Sequence, residues 1–338
     1  MATLETQQLD DIIVKSRRKM LSLGTSALAG LVLAGMTKKA EAQTTLTDND
    51  ILNFALNLEY LEANFYNLAV YGVTIDKLPT PIAITGTGTQ GTVTTKASFA
   101  PVPFSIPTIK AYATETALEE GRHVSFLRGA LGAAAVAQPA IDLVNSFNAL
   151  AMDAGIAGSF DPFANDAYFL IGAYIFEDVG VTAYHGAAGS ISSPTTLGAA
   201  AGILAVEAYH AGLVRTAINA LDMAATFAPT GTLTGYTQVI SAFRSKLANP
   251  TPPATGTPFT TNGGLTADDQ GIDNSQMVAL QGTSASYPST TILDADNNSI
   301  TFARTPQQIL SIVTGNSPAL SSGNKGVFFP AGLNGTIN

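Results

Sequence analysis

Two Glu-x-x-His pairs stand out in a sequence that contains only three histidines. Glu120 precedes His123, and Glu207 precedes His210 within the apolar run GILAVEAYHAGLVRTAINAL. Residues three apart lie on one face of a helix, so each pair presents its carboxylate and its imidazole together. Imidazole and carboxylate are ligand types that suit iron and manganese. The two pairs therefore indicate metal-dependent chemistry.

Two other segments carry a glutamate seven residues before a tyrosine, at Glu59–Tyr66 and at Glu177–Tyr184. Seven residues are nearly two turns of a helix, so we expect each glutamate to lie close to its own tyrosine on one stripe. The order along the chain is thus Glu, Glu-x-x-His, Glu, Glu-x-x-His. The second half repeats the first, as two helix pairs that fold together would.

Carboxylates inside an apolar helix bundle need compensation, because an unpaired buried charge is very unfavourable. Four inward-facing glutamates would repel one another strongly, and two divalent cations would neutralise them. Two of the carboxylates can bridge the cations while each histidine completes the coordination of one cation. The chain has no cysteine, so disulfides, thiolate metal sites and iron–sulfur clusters are excluded.

Three further acidic residues lie near the same stripes, and we expect them to be solvated or to stand behind the metal ligands: Glu62, Glu115 and Glu119. Glu59 and Glu62 are about 60° apart around a helix. Glu59 is favoured because its distance from the next tyrosine recurs in the second half of the chain. Glu120 is favoured over Glu119 because it reproduces the spacing of the later Glu-x-x-His pair.

The third histidine, His185, falls about 80° from Glu177 around the helix, off the stripe. We expect it to be a surface or packing histidine. The sequence leaves one alternative open for the other six residues, namely that they are polar side chains with purely structural roles.

Four long segments have the apolar period of helices. They cover about residues 47–71, 107–132, 162–190 and 194–222. A short Ser/Pro turn joins the last two, which should therefore be antiparallel neighbours. Between the first two segments, residues 80–104 alternate Thr and Val and contain several glycines, which predicts a β-hairpin or an extended flap. Residues 138–155 predict a shorter helix in the crossover.

The chain changes character near residue 225, where it becomes rich in Pro, Thr, Gly and Asn. Short helices are predicted at YTQVISAFRSKL and at TPQQILSIVTG. The tail GVFFPAGLNG carries two phenylalanines and a leucine, so we expect it to pack on the bundle. These patterns divide the chain into a signal at 1–42, a helix bundle at 43–224 and a loop-rich C-terminal extension at 225–338.

The N-terminal segment has the features of a cleaved twin-arginine export signal. Paired Arg17 and Arg18 precede an uncharged apolar stretch, which is followed by two lysines and Ala40-Glu41-Ala42. The apolar stretch is shorter than the ~20 residues that span a bilayer, which argues against a stable membrane anchor. The sequence therefore predicts export to the periplasm or beyond.

Removal of this signal makes the chain more acidic. It takes away six of the 16 Lys and Arg and four of the 25 Asp and Glu, leaving 10 against 21 and a net charge of −11. A charge of this sign disfavours nucleic acid and anionic membrane surfaces as partners. It is compatible with cations as partners.

From about residue 47 to about 223, the chain resembles the ferritin-like superfamily. Glutamates from two helices that alternate with two Glu-x-x-His helices form the ligand pattern of di-iron and di-manganese carboxylate bundles. The stretches NFALNLEYLEANFY, RTPQQILSIVTG and FFPAGLNG are similar to the exported branch of that superfamily, which is related to plant desiccation-related proteins. The resemblance implies an all-α, ferritin-like four-helix bundle.

The resemblance also implies a role for each residue of the pattern. It implies the following metal ligands: Glu59, Glu120, His123, Glu177, Glu207 and His210. Glu120 and Glu207 would be the bridging pair. Tyr66 and Tyr184 would lie behind the ligands, able to hydrogen-bond one of them or to donate an electron in catalysis. The cofactor would be two Fe or two Mn ions.

Two classes of function fit these expectations. In the first, the metal pair reacts with oxygen or peroxide, by oxidising Fe(II) or by dismutating peroxide as a manganese catalase does. Stress protection outside the cytoplasm would suit such a protein. In the second, the domain sequesters metal or protects the cell envelope during desiccation, and the metals are structural. The long flap and tail argue against a cage subunit, so we expect a monomer or a small oligomer.

Overall fold

The computed structural model describes residues 46–249, 268–279, 286–296, 298–315 and 326–338. The predicted export signal lies outside the described residues. Seven α-helices are formed within them: α1 Asp48–Tyr71, α2 Pro107–Leu131, α3 Asn145–Asp153, α4 Asp166–Ala188, α5 Pro194–Met223, α6 Thr232–Ala248 and α7 Pro306–Thr314. The four long helices begin and end close to the residues that the apolar period predicts.

Local sequence signals explain where these helices begin and end. The Thr47 side chain accepts from the Asp50 backbone, and the Asp50 carboxylate accepts from the Thr47 backbone N–H, which together form a capping box at the start of α1. Gly72, with φ at 73°, ends this helix in the left-handed conformation that glycine adopts without strain. Asn165 and Ser193 cap the starts of α4 and α5 through their side-chain oxygens.

The long helices pack as two pairs, α1 with α2 and α4 with α5, and the pairs pack together as a bundle. The prediction of a helical bundle is thereby confirmed. Helix α1 is buried along nearly its whole length. Its N-terminus is tied to the α4–α5 turn, because the Asp48 carboxylate accepts from the backbone N–H groups of Ser192 and Ser193 at 2.8 and 2.9 Å.

The flap prediction is right about extended backbone and wrong about a hairpin. Strand β1 (Val93–Thr94) pairs in parallel with β2 (Ile141–Asp142), which follows α2, and not with another part of the flap. Two glycines allow this close approach. A Cβ at Gly86 would lie 2.3 Å from Ala135 O, and a Cβ at Gly91 would lie 2.1 Å from Ala140 N.

The C-terminal extension packs on the bundle through α6, α7 and the tail. The tail's Phe328 and Phe329 are buried, and its Asn334 exchanges backbone hydrogen bonds with the Asn57 side chain of α1 at 2.8 and 3.0 Å. The extension also contains a two-stranded antiparallel sheet, β3 (Asp273–Ala279) with β4 (Ser286–Thr291), which the sequence patterns did not predict.

A buried network of arginines and aspartates joins the extension to α4. We call it the arginine network; it consists of Asp178, Arg215, Arg244, Asp268, Asp269 and Arg304. Arg215 Nη1 and Arg244 Nη2 donate to Asp178 Oδ2 at 2.9 and 2.8 Å. Arg244 and Arg304 both donate to Asp269, and they hold its pKa below the ordinary value although burial acts in the opposite direction.

Helix α5 is long and apolar enough, by length and composition, to cross a membrane. The core helix of a soluble bundle meets the same criterion. On its inner side α5 carries Glu207, His210 and Arg215, all of which are buried among the other helices. We therefore describe α5 as a bundle helix.

Candidate metal centre

The side chains of the two Glu-x-x-His pairs and of the two other predicted glutamates meet inside the bundle. They form two groups of converging donor atoms that share Glu120: Glu59, Glu120, His123 and Glu207 in the first, and Glu120, Glu177 and His210 in the second. Within each group, one donor atom of each residue lies within 4.8 Å of the others. All six side chains are buried. We call these six residues the ligand cluster.

Both histidines of the ligand cluster direct Nδ1 toward the carboxylates. His123 Nδ1 lies 3.2 Å from a Glu59 oxygen and 3.4 Å from an oxygen of Glu207. His210 Nδ1 lies 2.9 Å from Glu120 Oε1 and 3.4 Å from Glu177 Oε2. Each histidine therefore serves one of the two groups, while Glu120 reaches both.

Most donor atoms of the ligand cluster have no hydrogen-bond partner in the described structure. The unpartnered buried atoms are Glu59 Oε2, Glu120 Oε1 and Oε2, His123 Nδ1, Glu177 Oε2, Glu207 Oε1 and Oε2, and His210 Nδ1. Some lie close to one another, such as His210 Nδ1 and Glu120 Oε1 at 2.9 Å, but without the angles of a hydrogen bond. A buried polar atom without a partner costs about 1–3 kcal/mol. Carboxylate oxygens and imidazole nitrogens that converge in this way fit divalent cations.

The tyrosines divide the four glutamates into two types. Tyr66 donates its hydroxyl hydrogen to Glu177 Oε1, and Tyr184 donates to Glu59 Oε1. Each of these two glutamates therefore has one oxygen left that has no hydrogen-bond partner and faces the ligand cluster. Glu120 and Glu207 have both oxygens unpartnered. A carboxylate that bridges two metal ions uses both oxygens, so this difference agrees with the bridging roles that the sequence resemblance implies.

Each glutamate and the tyrosine seven residues after it lie on the same helix, but these two side chains are not hydrogen-bonded to each other. Each tyrosine instead contacts the glutamate of the opposite helix, because the contacts Tyr66–Glu177 and Tyr184–Glu59 run in opposite directions along α1 and α4. The two helices are therefore antiparallel at this level. The equal spacing on each helix allows both contacts to form at once.

Burial and mutual repulsion shift the pKa values of the glutamates. Burial raises the pKa of Glu59 to about 7, against the opposing charge of His123. Burial, followed by repulsion from Glu120, raises the pKa of Glu207 well above its ordinary value. Glu120 differs, because its contacts with His123 and His210 outweigh burial and hold its pKa well below the usual range.

The pKa values of the two histidines are raised as well, which favours their positively charged form. Burial would lower the pKa of each, but the carboxylates outweigh it and raise both values above the ordinary one, chiefly Glu59 for His123 and Glu177 for His210. Two positive charges would not balance four ionised glutamates, and burial together with mutual repulsion raises the pKa values of Glu59, Glu177 and Glu207. Divalent cations would remove both the repulsion among the glutamates and the protons on the histidines.

The neighbouring acidic residues lie outside both groups. Glu62 is buried rather than solvated, and burial followed by repulsion from Glu207 raises its pKa well above the ordinary value. Glu119 accepts from His210 Nε2 at 2.8 Å while its side chain is 30% exposed. Glu115 is exposed, and His185 is half-buried with its Nδ1 3.1 Å from the Phe302 carbonyl oxygen.

Sequence reasoning missed Gly180, which lies three residues after Glu177 on α4. A Cβ at this position would lie 2.2 Å from Glu207 Oε2, so the absence of a side chain makes room for that carboxylate. A glycine inside a helix costs up to about 1 kcal/mol relative to alanine. The only signal in the sequence is this unfavourable glycine within an otherwise apolar helical stretch.

The fold and these buried groups place the chain in a known class. The model of the ferritin-like domain matches residues 47–220, which is more than half of the chain. The chain belongs to the ferritin-like family, as the resemblance in its sequence predicts.

Two curated relatives share most of their length with this chain. It is 30% identical to desiccation-related protein PCC13-62 of Craterostigma plantagineum, over 79% of this chain and 78% of that protein. It is 25% identical to ferritin-like catalase Nec2 of Nesocodon mauritianus, over 86% of this chain and 84% of that protein. No solved structure gives a significant match.

Proposed function

We propose that this protein binds two Fe or two Mn ions with the ligand cluster and uses them for redox chemistry on oxygen or peroxide. The observation that carries the proposal is the set of unpartnered donor atoms, which fall into two groups that share Glu120. Each group combines carboxylate oxygens with one imidazole nitrogen, the donor set that suits iron and manganese. When bound, a metal pair of this kind would supply redox chemistry on oxygen or peroxide.

The residues around the metals have distinct roles in this proposal. Glu59 and Glu177 would each hold a metal through one oxygen, and the phenols of Tyr184 and Tyr66 fix the orientation of these carboxylates. Glu120, which belongs to both donor groups, would hold both metals, and Glu207, which also has both oxygens unpartnered, would assist it. Each phenol already donates its hydrogen to a carboxylate of the ligand cluster, so the phenols are the candidates to supply a proton or an electron.

The relative that is named a ferritin-like catalase supports peroxide as the substrate. The test begins with purified protein that is freed of metal and reloaded anaerobically with Mn(II) or Fe(II). Oxygen release from added peroxide and oxidation of Fe(II) by oxygen are then recorded. We expect one of these activities in the wild type and its loss in the His123→Ala, His210→Ala double variant.

The tyrosine role is tested in the same assays with Tyr66→Phe and Tyr184→Phe. Loss of a group that transfers a proton typically lowers a rate by about 10²–10⁴-fold. Tyr209→Phe is the matched control, since the Tyr209 side chain is 74% exposed on α5. A reduction of the same size in all three variants would contradict the role of the buried phenols.

The desiccation-related relative supports a second candidate, in which the metals hold the bundle together and the protein protects the cell envelope without catalysis. Both candidates require two metal ions per chain. They differ in the reaction assays. A protein that holds two metals but consumes neither peroxide nor oxygen supports the structural role and contradicts the redox proposal.

We also propose that the protein is exported through the twin-arginine pathway. This pathway carries folded proteins, so the centre could be loaded in the cytoplasm. An exposed His/carboxylate site would otherwise be taken by copper or zinc, which bind such sites more tightly than manganese or iron. Arg17→Lys combined with Arg18→Lys should retain a folded precursor in the cytoplasm. Normal export of this variant, or an uncleaved N-terminus on the exported protein, would contradict the proposal.

A further inference from the structure

The two histidines of the ligand cluster differ in the contact that their ring makes on the side away from the carboxylates of the cluster. His210 Nε2 lies 2.8 Å from Glu119 Oε2, on the side of the ring that faces away from the centre. Among the described residues, the carboxylate contacts of His123 all involve its Nδ1, which faces the centre. Only His210 is therefore held by carboxylates from both sides of its ring.

The internal repeat explains this difference. Glu119 directly precedes Glu120 on α2, and the corresponding residue on α5 is Val206, directly before Glu207. A valine cannot accept a hydrogen bond from an imidazole. The chain therefore has three predicted metal-binding positions in each half but places an acceptor behind only one of the two histidines.

An acceptor at this position has a known physical effect. A histidine that binds a metal through Nδ1 must carry its hydrogen on Nε2, and a carboxylate that accepts from Nε2 fixes this tautomer and the ring orientation. It also makes the metal-bound nitrogen more basic. Loss of such a partner typically weakens metal binding by about 10–100-fold.

We propose that Glu119 is a positioning residue for His210 and that it makes the metal position beside His210 and Glu177 the tighter of the two. The inference rests on the proposed function, because it assumes that the ligand cluster binds two metals. Glu119 itself binds no metal and acts through the imidazole. The second metal position, beside His123 and Glu59, fills at higher metal concentration.

The probe is Mn(II), titrated anaerobically into the metal-free full chain while the free ion is measured by electron paramagnetic resonance. The wild type should bind two Mn(II) in two resolved steps. Glu119→Leu removes the acceptor and should weaken the tighter step by about 10–100-fold. Glu119→Gln keeps an acceptor oxygen without the charge, so its Mn(II) affinity should lie between those of the wild type and Glu119→Leu. Glu115→Gln and Glu115→Leu, at an exposed position one turn earlier on α2, should match the wild type.

Double variants identify the affected half. In a His123→Ala background, the remaining site is that of His210, and Glu119→Leu should weaken it by the full factor. In a His210→Ala background, the same change should have no effect on the remaining site. An equal effect in both backgrounds would overturn the proposal, because it would show a general disturbance of the bundle.

The outcomes separate this inference from the proposed function. A wild-type protein that binds no Mn(II) and no Fe(II) would overturn both. A wild type that binds two ions, with Glu119→Leu within twofold of it in both steps, would overturn the role of Glu119 alone. The far-UV circular dichroism of metal-free Glu119→Leu should equal that of the wild type, which ensures that a loss of affinity does not come from unfolding of the bundle.

Discussion

Glu177 and Asp178 are consecutive residues of α4 and equally buried, yet they face two differently built polar clusters. Neighbouring residues of a helix point about 100° apart. Glu177 therefore faces the ligand cluster, and Asp178 faces the arginine network, where Arg215 and Arg244 donate to it. The two clusters share a helix and a similar number of carboxylates, so they can be compared directly.

The difference lies in where the compensating charge comes from. The arginine network contains its own cations, and among the described residues three buried atoms in and beside it lack a hydrogen bond: Asp178 Oδ1, Arg244 Nε and Asp294 Oδ2. The ligand cluster leaves eight such atoms, all of them carboxylate oxygens or imidazole nitrogens. The chain thus supplies the cations of the first cluster itself, whereas in the second cluster the proposed metal ions would supply them.

The largest effect should come from a change within the arginine network. Arg244→Met removes the guanidinium that joins Asp178 to Asp269 and leaves both carboxylates without their shared partner. Loss of one partner of a buried ion pair typically costs about 3–5 kcal/mol. Urea denaturation of the metal-free protein should show a loss of this size. A loss below about 1 kcal/mol would mean that the network does not hold the extension to α4.

Metal binding to the ligand cluster should stabilise the folded protein. The arginine network already contains its own cations and should gain nothing from added metal. At a free Mn(II) concentration 100 times the dissociation constant of one site, filling that site should add about 2.7 kcal/mol to the free energy of unfolding. The His123→Ala, His210→Ala double variant should show no increase while its far-UV helical signal is retained. Thermal unfolding with and without a chelator measures both. An equal increase in the variant would place the stabilising ion elsewhere.

Gly180→Ala tests the space around Glu207. The new Cβ would meet Glu207 Oε2 at 2.2 Å, so the carboxylate must move and the bridge between the metals should weaken. Misplacement of this bridge should lower metal affinity by at least about tenfold, the lower end of the effect of losing a supporting contact. Gly202→Ala on α5 is the matched control, since a Cβ there would meet no neighbouring group of the described residues within 4 Å. This control should retain wild-type binding.

The smallest effect separates two neighbours on α1. Glu59 contributes to the first donor group, whereas Glu62 is buried outside both groups. Glu59→Gln should therefore weaken binding of one metal and change the absorption spectrum of the loaded protein. Glu62→Gln should alter affinity much less. If Glu62→Gln empties the site and Glu59→Gln leaves it intact, the assignment of ligands on α1 is wrong.

Local patterns explain what the sequence could predict. The apolar period and the repeated Glu and Glu-x-x-His spacings predicted the bundle, and the six residues chosen from them lie together in the structure. Their role as metal ligands stays a prediction. Which glutamate each tyrosine contacts could not be predicted, because spacing within one helix carries no information on the direction of its neighbour.

The arginine network could not be predicted from the sequence, for a related reason. Asp178, Asp269 and Arg304 come from distant parts of the chain, and no spacing rule connects them. The contact of Glu119 could be predicted only in part. Its position beside Glu120 was visible, but its contact with His210 depends on how α2 packs against α5.

Anomalous diffraction from crystals loaded with Mn(II) tests the central claim most directly. Two peaks about 3.5–4 Å apart are expected within the ligand cluster, one beside His123 and one beside His210, with Glu120 between them. No peak in the ligand cluster would contradict the account. A peak only among Asp178, Asp269 and Asp294 would contradict it as well, because it would show that the arginines do not compensate the charge of these aspartates.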